Sequence, residues 1–295
     1  MENRLIRGIA LNNSVRLFGI DCTKLVEDSR KQHDLWPTSC AALGRIEAVA
    51  CMMASMLKDD NEKITINING NGPIGTCLVV AGGNGDVKGF VGDNQIYLKY
   101  NDSNKLAVGI AVGKDGFLDV TRYTNLKDNF NSKVRLISGE IGDDFSYYFN
   151  VSEQTPSVVS VGVLVDPDYS VHCAGGLIIQ LLPDASEEII SKVEKVAANM
   201  RPITNMLADG MTIDEILMSL FDDVKILESK EFRWHCDCSR ERFMAGISTL
   251  SEQDIQEMID EDNGCEVKCE YCNTIYKFSK EDLESILEFK RSCLR

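Results

Sequence analysis

The chain has 295 residues, of which 44% are hydrophobic and 26% charged, and this balance is typical of a soluble protein with room for one large and one smaller core. Its formal net charge is -15. That charge argues against sequence-independent binding to nucleic acid or to an anionic membrane surface, because both depend on clustered Lys and Arg.

The first ten residues show no signal-peptide pattern, and no apolar run approaches the roughly 18 to 20 residues of a membrane span. The predicted location is therefore the cytoplasm, where thiols are normally reduced. Eleven cysteines in such a chain are better interpreted as metal ligands, buried thiols or redox groups than as a disulfide framework.

Residues 1–182 mix strand-like runs with one long apolar helix, and they predict an α+β core domain whose sheet order stays open. The helix follows Pro37, spans residues 38–57 and carries apolar side chains at helical spacing. Strands are predicted near the N-terminus and at residues 15–20, 63–69, 74–81, 87–91, 96–100, 133–138, 158–165 and 176–182.

Two glycine-rich stretches imitate nucleotide-binding motifs. Residues 70–75 match the dinucleotide fingerprint, but a β-prone run follows where a helix should begin, so a hairpin turn is the better interpretation. Residues 109–115 imitate a phosphate loop with too few residues between the glycines and with Asp115 where Ser or Thr should hold Mg²⁺. ATP use therefore has no support.

Nothing in the core predicts a nucleophilic enzyme site. Its cysteines sit among apolar neighbours without metal spacing, and the three histidines share no motif with a nucleophile. We expect these thiols to be buried and inert. They are Cys22, Cys40, Cys51, Cys77 and Cys173.

Residues 183–231 are predicted to form an amphipathic helical linker. A helix start is indicated at residues 184–187, and Thr212 and Glu215 have the spacing of a capping box. The helix that follows presents one broad apolar face up to Val224. The face suits either a permanent helical layer over the core sheet or a cover that can detach and expose apolar surface.

Two close thiol pairs mark the C-terminal region. Cys236 and Cys238 are separated by the 30 residues 239–268 from Cys269 and Cys272, and four soft ligands of this kind suit Zn²⁺ in a closed tetrahedral site. A site with four cysteines has no open position for catalysis. Residues 232–295 are too few for a comfortable core without such a metal, so they predict a zinc-binding domain.

The first pair departs from an ordinary zinc ribbon because only Asp237 separates its thiols. Ser239 is predicted to cap a helix over residues 240–247, which favours the thiolate of Cys238. Oxidation would remove thiolates from the metal and unfold the domain. A permanent zinc staple and a redox trigger both remain open at this point, with Cys265 and Cys293 expected to be bystanders.

Residues 232–243 (FRWHCDCSRERF), with Cys269, Cys272 and the following Tyr276, closely resemble the C-terminal signature of the redox-regulated thirty-three-kilodalton heat-shock chaperones of bacteria. Further matches occur in the family's order along nearly the whole chain. They are residues 36–38 (WPT), 43–45 (LGR), 138–140 (SGE), 152–157 (SEQTPS) and 175–180 (GGLIIQ).

The resemblance implies an ATP-independent chaperone, or holdase, and not an enzyme. In reduced family members four cysteines bind one zinc ion and the chaperone is inactive. Oxidants with unfolding conditions then form a disulfide within each pair, release zinc and unfold the linker, and the active form binds unfolding proteins and dimerises. By motif, the ligands are Cys236, Cys238, Cys269 and Cys272, and the disulfides are Cys236-Cys238 and Cys269-Cys272. Cys265 matches no family ligand.

Two other function classes compete with this prediction. One is an enzyme or small-ligand-binding core with a purely structural zinc domain, which peroxide would leave unchanged. The other is a zinc-dependent nucleic-acid binder, which the acidic surroundings disfavour: residues 251–290 hold 12 Asp and Glu against 4 Lys. The client-binding surface stays unassigned.

Overall fold

Two antiparallel sheets with a buried helix between them form the larger part of the computed structural model, which describes residues 3–103, 105–124, 129–183 and 185–293. The chain divides into two units, Met1–His235 and Cys236–Arg295. The strands of the first unit are β1 (Arg4–Ala10), β2 (Val15–Asp21), β3 (Lys63–Asn69), β4 (Cys77–Gly82), β5 (Asp86–Val91), β6 (Phe117–Tyr123), β7 (Phe130–Arg135), β8 (Ser157–Val165), β9 (Val171–Leu181), β10 (Lys225–Glu231) and β11 (Arg233–Trp234).

Among the described residues, seven helices accompany these strands. They are α1 (Thr23–His33), α2 (Pro37–Ala54), α3 (Val108–Val112), α4 (Ile141–Val151), α5 (Glu187–Asn199), α6 (Ile203–Ala208) and α7 (Ile213–Met218). None of the helices in the described part of the chain is long and apolar enough to pass through a membrane.

Sheet A has the order β10-β1-β2-β9-β8, and sheet B has the order β11-β5-β4-β3-β6-β7. All neighbours are antiparallel except the short pair β11 and β5, which is parallel. Helix α2 packs on both sheets, and every one of its residues except Arg45 is buried. A helix that is apolar around its whole circumference requires such a position, so α2 is the centre of the main core.

The predicted hairpin at residues 63–81 is confirmed. Ile64, Ile66 and Ile68 alternate along β3 and are fully buried, and β3 pairs with β4 in antiparallel register. Period-two burial of this kind is what a strand with one face on a core produces.

The two nucleotide-like motifs pack against each other instead of cradling a phosphate. A Cβ atom added to Gly70 would lie 2.2 Å from the carbonyl oxygen of Gly113, and Gly113 has a φ of +77°. Gly72 N and Ile74 N donate to the carbonyl oxygens of Val112 and Ala111. The glycines thus permit close contact between two backbone segments. Phosphate-binding loops need glycines for the same kind of close approach, which explains why these motifs resemble them without binding phosphate.

The linker segment covers the outer face of sheet A. Its helices are α5, α6 and α7. Two of them begin where the sequence predicted, with Ser186 Oγ accepting from Ile189 N at α5 and with the capping box of Thr212 and Glu215 present at α7. Helix α6 follows Pro202 and has no side-chain cap. Asp184 lies outside the described residues. Apolar side chains of the helices pack on apolar side chains of the sheet in a second buried cluster. Its helix-side members include Val193, Ile203, Met206, Ile213, Ile216 and Leu217, and its sheet-side members are Ile6, Ala10, Val15, Leu17, Leu177 and Ile179.

Part of the linker prediction is wrong. Residues 225–231 form strand β10, which pairs with β1, and α7 ends at Met218, short of Val224. The sequence of β10 places Ile226 beside Leu227 and is otherwise mostly charged, so no alternation marks it as a strand. Its strand conformation comes from hydrogen bonding to the edge of sheet A.

Other elements of the first unit also differ from expectation. Residues 96–100 form no described strand beyond a single bridge between Lys99 and Leu106, because this segment bonds instead to the start of α2: Leu98 N donates to Thr38 Oγ1. Helices α1 and α4 and strand β6 were not predicted, and each is held by tertiary contacts to the sheets or to α2.

The second unit is a small domain built from α8 (Arg240–Ile247), α9 (Glu252–Asp260), β12 (Gly264–Lys268), β13 (Ile275–Ser279) and α10 (Lys280–Cys293). Strands β12 and β13 form an antiparallel hairpin. Its separate core is small, and the buried members described are Ile247, Ile255, Ile259, Phe278, Leu283, Ile286 and Leu287. A core of this size gives a domain little stability of its own.

A carboxyl group lies within the main core. Glu47 on α2 is completely buried, and its Oε1 accepts a hydrogen bond of 2.5 Å from Ser29 Oγ on α1. Its Oε2 has no hydrogen-bond partner in the described part of the structure. Burial disfavours the charged form and raises the pKa of Glu47 from 4.5 to about 8, although the Ser29 hydroxyl opposes this shift.

We expect folding stability to depend on pH through Glu47. Because its pKa is about 8 when folded and near 4.5 when exposed, the folded state holds one extra proton between these values. The stabilisation is complete below pH 4.5 and is lost as pH rises toward 8, at about 1.4 kcal/mol per pH unit. Urea unfolding of the first unit, followed by the fluorescence of Trp36 and Trp234, should show this slope and should lose it in Glu47→Gln. The exposed Glu194→Gln control should retain it; an equal slope in all three proteins would refute the assignment.

Candidate metal centre

Four thiols converge in the second unit from two local structures. Cys236 and Cys238 lie on the extended segment that leads into α8, and Cys269 and Cys272 lie in the turn between β12 and β13. The turn is closed by Cys269 N donating to the carbonyl oxygen of Thr274 and by Asn273 N donating to that of Cys269. Asn273 has a φ of +57°, a left-handed conformation that Asn tolerates.

The sulfur atoms form a compact cluster in which all four lie within 4.8 Å of one another. The Sγ atoms of Cys236 and Cys269 are 3.8 Å apart, and those of Cys238 and Cys272 are 3.3 Å apart. A regular tetrahedron with Zn–S distances of about 2.3 Å places its sulfurs about 3.8 Å apart. The donor set and its spacing therefore fit one zinc ion with no position left for a substrate.

Hydroxyl groups surround one side of this cluster. Tyr276 Oη lies 3.1 Å from Cys238 Sγ and also donates to the carbonyl oxygen of Cys238 at 3.2 Å. Thr274 Oγ1 lies 3.2 Å from Cys272 Sγ. Neither hydroxyl was assigned a role from the sequence. Both residues follow the second thiol pair within four positions, and this closeness is the signal by which they could have been considered as partners for the clustered thiols.

These contacts affect the ionisation of the thiols. Burial opposes ionisation of Cys272, but hydrogen bonds with the Thr274 hydroxyl and backbone outweigh it and lower the Cys272 pKa to about 7. The hydrogen bond with Cys238 raises the pKa of Tyr276 to about 12. A Tyr276 hydroxyl that keeps its proton can donate to a thiolate, which is the form that binds metal.

Helix α8 fixes the first pair as the sequence predicted. Ser239 Oγ accepts from Arg242 N at the N-terminus of the helix, so Cys238 precedes a capped start with a partial positive charge. Arg242 forms an ion pair of 2.7 Å with Asp237, the residue between the two thiols. The ring of Phe243 packs on Tyr276, with the ring centres 5.0 Å apart.

Cys265 lies outside the thiol cluster. It sits on β12 opposite Phe278 and packs at the edge of the small core, where burial raises its pKa. The side chain of Cys293 is not among those described. The five core cysteines are all buried, as expected. Adjacent His172 and Cys173 point to opposite faces of β9, one exposed and the other buried, so the structure does not bring these histidine and thiol groups together.

Comparisons with known proteins agree with this geometry. Residues 3–279 match the family model described as Hsp33 protein. The chain is 43% identical over 290 residues to the 33 kDa chaperonin of Halalkalibacterium halodurans, covering 98% of this chain and 99% of that one. It is 41% identical to the 33 kDa chaperonin of Staphylococcus carnosus over 289 residues, covering 97% and 98%.

A solved structure shows the same fold. The crystal structure of the 33 kDa chaperonin, a heat shock protein 33 homolog, from Thermotoga maritima superposes with a TM-score of 0.89 at 33% sequence identity, and the match covers 99% of this chain and 100% of the other. The family model, the relatives and the solved structure each span nearly the whole chain, and the chain therefore belongs to the Hsp33 family of chaperones.

Proposed function

We propose that this chaperone is an ATP-independent holdase of the cytoplasm, switched by oxidation of its metal centre. The observation that carries the proposal is the cluster of four Sγ atoms within 4.8 Å in a unit whose own core is small. In the reduced state Cys236, Cys238, Cys269 and Cys272 would hold one Zn²⁺ and keep the protein inactive. Oxidation would then activate it.

Metal binding and folding are linked in the second unit. Bound zinc would supply crosslinks between the segment before α8 and the β12–β13 turn, and in small closed sites the binding free energy is largely folding free energy. The four thiolates are therefore both the metal ligands and the main connection within the domain. Removing them from the metal is expected to unfold residues 236–293.

Hydrogen peroxide can remove the thiolates by making disulfides. Each disulfide takes two electrons from two thiols and reduces one peroxide to two waters. The nearest sulfur pairs join Cys236 to Cys269 and Cys238 to Cys272. The proposed products are nevertheless Cys236-Cys238 and Cys269-Cys272, which the family resemblance implies, and all four sulfurs are close enough for either pairing.

The client surface is proposed to be the interface between the linker helices and sheet A. Ile216, Leu217 and Val193 on the helices are buried against Leu17 and Leu177 on the sheet. Strands β10 and β11 connect this region to Cys236 along the chain. When residues 236–293 unfold, we propose that these strands and the helices detach, exposing apolar surface that binds unfolding proteins and a second copy of the chain.

Loss of one ligand should abolish metal binding. We expect Cys269→Ser to purify without stoichiometric zinc and to lose hydrogen-exchange protection throughout residues 236–293, because the remaining three thiolates cannot close the site. Zinc is measured with a colorimetric chelator, and protection by mass spectrometry. Cys265→Ser is the matched control and should keep both. Zinc retained by Cys269→Ser, or lost from Cys265→Ser, would contradict the proposed ligand set.

The function itself is tested by measuring whether the protein prevents the aggregation of a heat-labile client protein in the absence of ATP. Reduced protein should give little protection, whereas peroxide-treated protein should suppress light scattering, release one zinc and lose four thiols. Equal protection by the two forms would exclude the redox switch. Loss of a fifth thiol would implicate Cys265, and zinc and helicity unchanged by peroxide would favour a purely structural metal site.

A charge placed inside the linker interface should activate the chaperone without oxidation. Ile216 on α7 is fully buried, whereas Met218 on the same helix is 55% exposed. We expect Ile216→Asp to protect clients in its reduced, zinc-loaded form, because an unpaired carboxylate in this interface costs several kcal/mol. Met218→Asp should remain inactive until oxidised. The opposite outcome would be a reduced Ile216→Asp protein that is folded, whose linker helices have detached from sheet A, and that still does not protect clients. That result would exclude this surface as the client site.

A further inference from the structure

We infer that Tyr276 is a positioning residue of the thiol switch, and that its hydroxyl group orients Cys238 Sγ for metal binding and slows its attack on peroxide. This inference rests on the proposed redox function and adds a residue that regulates it. The supporting contact is direct: Tyr276 Oη lies 3.1 Å from Cys238 Sγ and 3.2 Å from the carbonyl oxygen of the same residue.

The position of the Tyr276 ring is fixed by its surroundings. Tyr276 belongs to β13, where it pairs with Val267 of β12, and its ring packs at 5.0 Å on Phe243 of α8. It is thus held between the two structures that supply the ligands, with its hydroxyl directed at Cys238. A hydroxyl fixed in this way loses little conformational entropy when it forms a hydrogen bond.

The tyrosine hydroxyl has two acceptors on Cys238 within reach, the carbonyl oxygen at 3.2 Å and the sulfur at 3.1 Å. Rotation about the phenolic C–O bond turns the O–H from the carbonyl oxygen toward the sulfur, and no backbone movement is needed. A charge-assisted hydrogen bond to the thiolate is the stronger of the two.

This hydrogen bond should affect metal retention and oxidation in opposite ways. Partners of metal ligands fix their orientation and raise affinity, so the bond favours the reduced, metal-bound state. Oxidation begins when a thiolate attacks one oxygen of hydrogen peroxide: the O–O bond breaks, the sulfur becomes a sulfenic acid and hydroxide leaves. A second thiolate then attacks that sulfur, forms the S–S bond and displaces another hydroxide. A sulfur that shares its electron pair with the Tyr276 O–H is a weaker nucleophile in the first step.

Tyr276→Phe tests the inference because it removes only the hydroxyl and keeps the ring on Phe243. At fixed pH, the variant should bind zinc about tenfold more weakly in competition with a chromophoric chelator. Under a fixed peroxide concentration it should also release zinc and lose thiols several-fold faster. Tyr123→Phe removes an exposed tyrosine hydroxyl from β6 of the first unit, and as the matched control it should behave like the unchanged protein.

Replacement of Tyr276 by 3-fluorotyrosine gives a second measurement in the opposite direction. Fluorine makes the hydroxyl a stronger donor, so zinc release should become slower than in the unchanged protein. Release rates in the order Phe, tyrosine, fluorotyrosine, fastest first, would support the inference. Equal rates, or faster release from both variants, would overturn it. If reduced Tyr276→Phe holds no zinc, the fluorotyrosine protein decides: slower release supports the inference, and unchanged or faster release refutes it.

The proposed function and this inference fail in different ways. If peroxide releases no zinc and oxidises no thiols in the unchanged protein, the redox switch is refuted. If the unchanged protein switches and the Tyr276 variants match it in affinity and rate, only the role of Tyr276 is refuted.

Discussion

Sheet A is apolar on both faces, and this constraint governs the rest of the first unit. Neighbouring residues Leu17 and Phe18 on β2 are both buried, but they belong to different cores, and Leu177 and Ile178 on β9 repeat the pattern. One face is covered by α2, which also packs on sheet B. The other is covered by helices α5 to α7, a thinner layer drawn from a single stretch of chain. Apolar surface of this extent must be covered by something, whether linker, client or second copy.

Under the proposed function, the second unit would control that cover because its own core is small. Few of its residues are fully buried, and four of its cysteines occupy a site suited to zinc. A domain stabilised mainly by metal–thiolate bonds is sensitive to any reagent that consumes thiolates. A larger hydrophobic core would keep such a domain folded after loss of its metal, so the small core supports the proposed role as a sensor.

Burial and hydrogen-bond donors act in opposite directions on the thiols of this protein, and burial raises the pKa even of Cys269 in the cluster. Burial raises the pKa of Cys77 to about 12 and that of Cys22 and Cys51 well above 9.0, so these thiols stay protonated. The clustered thiols instead have hydroxyl and backbone donors, and the Cys272 pKa falls to about 7. Glu47 shows the same effect of burial on a carboxyl group. The balance between burial and hydrogen-bond donors therefore sets the direction in which the pKa of each group shifts.

The sequence by itself determined the features that depend on neighbours along the chain. The α+β class, the hairpin at residues 63–81, the caps at Ser186, Thr212 and Ser239 and the four candidate ligands all follow from local spacing, because helices, turns and thiol pairs have short periods. Tertiary structure alone decided which distant segments meet. It made a strand of the mostly charged residues 225–231 by pairing them with β1, packed the two glycine motifs together, set Cys265 apart from the cluster, and brought the Tyr276 hydroxyl to Cys238. These contacts join residues far apart in the chain, and their free energy comes from pairing and burial that no local pattern encodes.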